Sequence, residues 1–232
     1  MLPHLKAILR QRNGSLRKYQ RSTKKGNMDK MSDPKPSEER RREIVEAAKK
    51  LFLSKGYEAT STVDIMNAVG IAKGTLYYHF SSKEEILDAL LCEMTDSMAK
   101  AAAPFGEASK LSIPERMIGV IRAINIEGSR DERMLETIHL PQNALFHQKS
   151  HTLTIEKISP VMLKIVKDGI TQGFFSTKHP ESAVHIALSY SLSDPEDAAG
   201  DPEELAAGFV YNLERMLGAR EGSLNKLMEL FG

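Results

Sequence analysis

A single cysteine, Cys92, in a chain of 232 residues leaves no partner for an intramolecular disulfide and fits a reducing compartment. It lies beside the apolar positions of a predicted helix, so it reads as a small packed residue rather than a reactive thiol. No run of apolar residues approaches the roughly 20 needed to cross a bilayer. The first residues hold no apolar core followed by a small-residue cleavage site. These absences predict a cytoplasmic protein without a membrane partner. There is also no Gly-rich phosphate loop, no nucleophile elbow and no His-Glu-x-x-His zinc motif. An enzyme is therefore disfavoured, and no cofactor or metal is expected. Repeats and low-complexity tracts are missing as well.

What is present is ordinary in amount and uneven in placement. Hydrophobic residues make up 41% and charged residues 27%, as in a globular protein able to build one large domain or two modest ones. The formal net charge is +1, yet residues 1–37 hold ten lysines and arginines against two aspartates, a net of +8 that leaves −7 for the rest. With so little to bury, residues 1–36 are expected to be a basic, disordered extension. Two readings of it stand side by side. It is a phosphate-contacting arm, or it follows from a start assigned too early, since Met28 and Met31 lie just ahead of the patterned region.

The most informative stretch runs from Asp64 to Phe80. Ile65, Ala68 and Val69 form an apolar face at helical spacing, and Gly70 can take the positive φ that ends a helix. Ile71 supplies a plug, and a second short helix follows with Lys73, Gly74, Thr75, Leu76, Tyr77, Tyr78, His79 and Phe80. Leu76 and Phe80, four apart, suit a core. Two adjacent tyrosines and a histidine cannot all face inward, so part of the run faces solvent or a partner. A short helix, a glycine turn and a second helix is the layout of a helix-turn-helix, whose second helix enters the DNA major groove. Lys73 opens that helix, and Gly74 and Thr75 are small enough for close approach to bases.

With its flanks, the stretch from about Arg41 to Met94 resembles the DNA-binding domain of TetR-type transcriptional regulators. The matching pieces are Ile44-Val45-Glu46-Ala47-Ala48, Leu51-Phe52, Gly56-Tyr57, Thr60-Ser61, Asp64-Ile65, Lys73 through Phe80, and Ser82-Lys83-Glu84-Glu85. Ala72 stands where the family usually has serine, which removes an N-cap worth about 1 kcal/mol. The resemblance implies an all-α protein. Residues 37–94 would be a three-helix, helix-turn-helix DNA-binding head. Residues 95–232 would be a larger helical body that binds a small-molecule effector and forms a homodimer. It also implies DNA contacts from Thr60, Ser61, Lys73, Gly74, Thr75, Tyr77, Tyr78, His79 and Lys83. In the family, the fourth helix links DNA geometry to the ligand-binding body.

The helix limits follow from caps. The first helix is expected from Ser37 to Lys55, and the second from Thr60 or Ser61, with Asp64 completing a capping box. The fourth should begin after Ser81, with Glu84 closing a second box. Beyond Thr95 the apolar stripes are Met117, Val120, Ile121 and Ile124; Met134, Leu135, Ile138 and Leu145; and Ile155, Ile158, Met162 and Ile165. Pro160 marks a kink or a helix start, and Gly173 an end. Helices 180–192 and 202–217 flank a loop at 193–200, and a terminal helix runs from Leu224 to Phe231.

Phe105, Met117, Ile121, Phe146, His147, His151 and Met162 are the candidate effector-binding residues, because methionine-rich walls adapt to apolar ligands. Most such residues serve as plain core. His147 and His151, four apart, face one way but lack a third ligand, so no metal is assigned. Ala183, Ile186, Ala187, Tyr190, Ala206, Val210 and Tyr211 are the candidate dimer contacts. The function expected is a homodimeric repressor that leaves a palindromic double-stranded operator when a small, largely apolar effector binds. The other reading is a DNA-binding scaffolding protein without a small-molecule switch, which a solid body core would favour.

Overall fold

The computed structural model describes residues 35–128, 141–192 and 201–231, and among these every regular element is helical. Eight α-helices run in the order α1 Lys35–Lys55, α2 Thr62–Val69, α3 Lys73–His79, α4 Lys83–Glu107, α5 Ile113–Gly128, α6 Ala144–Thr171, α7 Pro180–Ser191 and α8 Pro202–Leu217. A 3-10 turn at Pro141–Asn143 precedes α6, and another at Asn225–Leu230 ends the described chain where the sequence predicts a regular terminal helix. The loop at 193–200, the stripe Met134–Ile138 and the basic extension up to residue 34 lie outside the described residues.

Two apolar cores form, and the helical spacing of the sequence accounts for both. Ile44, Ala48 and Phe52 lie on one face of α1 and meet Ile65 of α2, Leu76 of α3, Phe80, and Ile86, Leu87, Leu90 and Leu91 of α4. The second core gathers Met98 and Ala102 of α4, Met117 and Val120 of α5, Ile158, Met162 and Ile165 of α6, and the inner faces of α7 and α8. α4 is thus shared. Its first half closes the head and its second half enters the body, and the helix continues through Thr95 without interruption.

Caps set the local limits. Ser61 is the N-cap of α2, its hydroxyl accepting from the Asp64 N–H while the Asp64 carboxylate accepts from the Ser61 N–H at 2.7 Å. Gly70 ends α2 at φ 73°, a left-handed conformation that costs glycine little. Ala72 begins α3 with no side-chain cap, as its lack of a hydroxyl dictates. The cap of α4 is shifted by one from the expected register. Ser82, not Ser81, accepts from the Glu85 N–H, and it is Glu85, not Glu84, that reaches back to the Ser81 N–H at 2.7 Å. Pro160 neither starts nor ends a helix but sits, exposed, inside α6.

Polar groups also tie α4, α5 and α6 together. Arg116 of α5 is only 2% exposed. Its guanidinium donates to the Phe105 carbonyl at 3.1 Å, to the Gly106 carbonyl, and to Asp168 of α6 at 2.7 Å. It therefore fills the role of a C-cap for α4, whose last carbonyls have no helical partner. α4 and α6 run in the same direction and are joined by Lys149 to Glu84 and Asp88 and by Lys157 to Asp96, each at 2.6 Å. Burial works against the Lys149 ammonium, but its hydrogen bonds to Asp88 and Glu84 outweigh that and leave its pKa raised.

Candidate nucleic-acid interface and body cavity

The head presents a compact polar and aromatic surface around α3. Lys73, Gly74, Tyr77 and Tyr78 are exposed, Tyr78 most of all at 78%. The Lys73 ammonium lies 5.8 Å from the centre of the Tyr77 ring, and His79, half-buried, sets its ring edge-on to Tyr78 at 5.0 Å. Thr75 is half-buried. A Cβ added to Gly74 would meet no atom of this chain within 4 Å, so intramolecular packing does not explain the glycine.

Three predicted contact residues are committed elsewhere. Thr60 is 1% exposed, and its hydroxyl donates to the Gly56 carbonyl at 2.7 Å, so its side chain secures a turn instead of reaching outward. Ser61 is exposed, but its hydroxyl works in the α2 cap, donating to Asp64 at 2.6 Å. Lys83 turns back onto the head, donating to the Tyr57 carbonyl at 2.7 Å with its ammonium 4.1 Å from the Tyr57 ring centre. Burial there pushes the Lys83 pKa down.

The α2 cap is held electrostatically. A hydrogen bond from Lys55, then bonds from the Ser61 hydroxyl and N–H, keep the Asp64 carboxyl well below the usual aspartate range. A lowered folded-state pKa gives support that is complete above the ordinary value near 4 and is lost as pH falls through the lowered one. Titrating the Ser61 and Asp64 amide resonances should give a midpoint below that of a free aspartate. A midpoint at or above the free value would remove Asp64 from the cap.

The body holds a partly open cavity of about 130 Å³. Its walls come from α5 (Met117, Ile121, Asn125), α6 (Met162, Val166), α7 (Ala183, Val184, Ala187, Leu188, Ser191), α8 (Phe209, Leu213, Leu217) and the terminal turn (Leu227, Leu230, Phe231). Among the described residues no charged side chain lines it. Asn125 and Ser191 provide the polar atoms; the Ser191 hydroxyl donates to the Ala187 carbonyl at 2.8 Å, leaving its oxygen able to accept.

Of the seven candidate effector residues, Met117, Ile121 and Met162 line this cavity. The other four do not. Phe105 lies against Gly119, where a Cβ would collide with its ring, and borders a separate groove between α4 and α5. Phe146 is in the head core. His147 and His151 sit at the same end of α6, their rings 6.4 Å apart, with His147 about 22 Å along the helix from Met162. No group of three or more His, Cys, Asp or Glu able to hold a metal occurs among the described residues.

The dimer candidates also divide. Ala183, Ala206 and Val210 are at most 4% exposed and pack inside this chain, so they are intramolecular residues, and Ala187 is half-buried beside the cavity. Ile186 at 53%, Tyr190 at 46% and Tyr211 at 50% face outward. Tyr190 stacks on Phe209 with ring centres 5.0 Å apart.

Single-sequence reading missed Asn125 and Ser191, which carry no pattern, and Asn143. Asn143 is 3% exposed, and its side-chain oxygen accepts from the Tyr57 N–H at 2.8 Å, 86 positions away in sequence. No helix among the described residues is long and apolar enough to cross a membrane.

Comparison with known proteins gives the same picture. Residues 44–90 match the family described as bacterial regulatory proteins, tetR family, and residues 125–197 match the tetracyclin repressor-like C-terminal domain. The HTH-type transcriptional regulator TtgR of Pseudomonas putida is 29% identical over 106 residues, 44% of this chain and 50% of TtgR. The HTH-type transcriptional repressor KstR2 of Mycobacterium tuberculosis is 48% identical over 52 residues, 22% of this chain and 26% of KstR2. The chain therefore spans about half the length of the first relative and about a quarter of the second. Among solved structures, RolR without ligand covers 81% of this chain and 96% of its own at a TM-score of 0.58 and 17% identity, a likeness of fold. RolR is also known in complex with resorcinol. With head, body and both sequence matches in agreement, the chain belongs to the TetR family of helix-turn-helix transcriptional regulators.

Proposed function

We propose that this protein is a homodimeric repressor that binds a palindromic operator through α3 of each copy and is released when a small effector enters the body cavity. The cavity carries the reading. A regulator without a switch has no need of an apolar hole in its body, and this one is lined by four helices and the terminal turn. Its volume of about 130 Å³ is close to that of an engineered protein cavity of about 150 Å³ that admits benzene. With two polar residues and otherwise apolar walls, it suits a neutral single-ring compound bearing one or two hydrogen-bonding groups. The resorcinol held by RolR belongs to that class. The repressor sense is supported by the similarity to KstR2, itself a repressor.

The outward face of α7 and α8 is where a second copy would dock. Gly208 supports this, since a Cβ there would meet nothing within 4 Å in the chain itself, and an unneeded glycine inside a helix costs up to about 1 kcal/mol. Joint replacement of Ile186 and Tyr211 by glutamate should give a folded monomer by light scattering and lower DNA affinity at least about tenfold. A variant that remains dimeric would move the interface elsewhere.

The decisive experiment is selection from a random duplex library at fixed salt. A palindrome with half-sites about 34–36 Å apart, or a multiple of that, is expected, together with release by single-ring phenols. Binding without any preferred sequence would overturn the reading.

A further inference from the structure

We propose that α6 carries the state of the cavity to the DNA-reading head, and that Asn143, just ahead of it, is the residue that positions the head. The proposal rests on the cavity being the effector site.

α6 is present at both places. Met162 and Val166 line the cavity, and Phe146, four to five turns earlier, is buried in the head core with Phe52 and Leu87. None of the described residues lining the cavity comes from α4, although α4 spans both cores. A change in cavity volume therefore presses on α5 and α6 directly, and reaches α4 only through these two helices packed against it; of the two, α6 also enters the head core. The lysine–carboxylate pairs of α6 with α4, at Lys149 and Lys157, make α4 follow.

At the head end, contact is made by hydrogen bonds from two backbone N–H groups, which fix distance and direction. The buried Asn143 carboxamide accepts from the Tyr57 N–H at 2.8 Å, and the Gln142 carbonyl accepts from the Glu58 N–H at 3.3 Å. Tyr57 to Thr60 is the turn that delivers the chain to Ser61, the cap of α2, and so to α2 and α3. Lys83 holds the Tyr57 carbonyl of the same turn. The launching point of the reading unit is thus gripped by the residues in front of α6 and by the first residue of α4. A tilt of α6 moves both grips together.

The test needs no effector. Leu188→Phe fills the cavity from its α7 wall, with Ala187→Leu as a second variant if the first does not fold. Backbone amide exchange in the full chain is then read at Tyr57 and Glu58. Filling the cavity should change exchange there by about threefold or more. The response should vanish in an Asn143→Ala background and survive in Asn143→Asp, which keeps an acceptor oxygen. A purely structural Asn143 would raise Tyr57 exchange without abolishing its response to the cavity, and that result would overturn the proposal. So would an unchanged head, or a response confined to the α4 amides. Phenol, added separately as a probe, tests the other reading. If it fails to protect α7 while Leu188→Phe still alters Tyr57, the effector class is wrong and the relay stands.

Discussion

Replacing Arg116 with methionine should lower the free energy of unfolding by about 3 kcal/mol and Tm by about 6–12 °C. Methionine retains most of the buried aliphatic volume, so the loss is electrostatic and not a cavity effect. The guanidinium is donor to two carbonyls at the end of α4 and to Asp168 of α6. Without it, the buried Gly106 carbonyl loses its guanidinium donor and the Phe105 carbonyl keeps only the long bond from the Ala108 N–H at 3.5 Å, so the helix end is poorly satisfied. Asp168 suffers less, because it is 34% exposed and retains Lys164 at 3.2 Å. The carbonyls therefore set the cost. Urea unfolding of the variant checks the figure, and a loss under about 1 kcal/mol would show that water replaces the guanidinium.

Gly74→Val should have the opposite profile, with stability within about 0.5 kcal/mol of the parent and operator affinity reduced at least about 100-fold. The site is open, since beyond its chain neighbours and its own helix backbone no atom of the described residues lies within 4 Å of a Cβ there. Position 74 is the second residue of α3, next to Lys73 and on the exposed surface shared with Tyr77 and Tyr78. The isopropyl side chain would hold that helix away from base edges and phosphates. Several hydrogen bonds to DNA would then fail at once, at a joint cost of about 3 kcal/mol or more. Thermal unfolding and binding to the selected DNA separate the two effects. Unchanged affinity would exclude α3 as the docking face.

The head is legible in the sequence because its determinants are local. Apolar residues four apart predict α1, Ser61 and Asp64 predict the α2 cap, and Gly70 predicts the turn. Where two rules compete for neighbouring serines, the prediction slips by one residue, to Ser81 and Glu84 instead of Ser82 and Glu85. The body is legible as helices but not as a site. Met117, Met162 and Phe146 look alike in sequence, and only three-dimensional packing sends the first two to the cavity and the third to the head. Asn143 has no local signal at all, because its partner is a backbone N–H 86 positions away. The alanines of α7 and α8 resemble dimer contacts because small residues permit close approach to any helix. Here the helices they approach are their own.

The paired lysines and carboxylates between α4 and α6 alter how ionic strength acts on this protein. Their side chains are partly open to solvent, Lys149 at 24% and Lys157 at 35%, so dissolved ions weaken the attraction. Counterions displaced from DNA also make affinity fall with salt, at about 0.9 logarithmic units per neutralised phosphate. Salt would thus loosen the grip on DNA and slacken the coupling between the two long helices in the same titration. A slope measured on the intact protein counts both, and would exceed the roughly 0.9 per phosphate that DNA contacts alone supply.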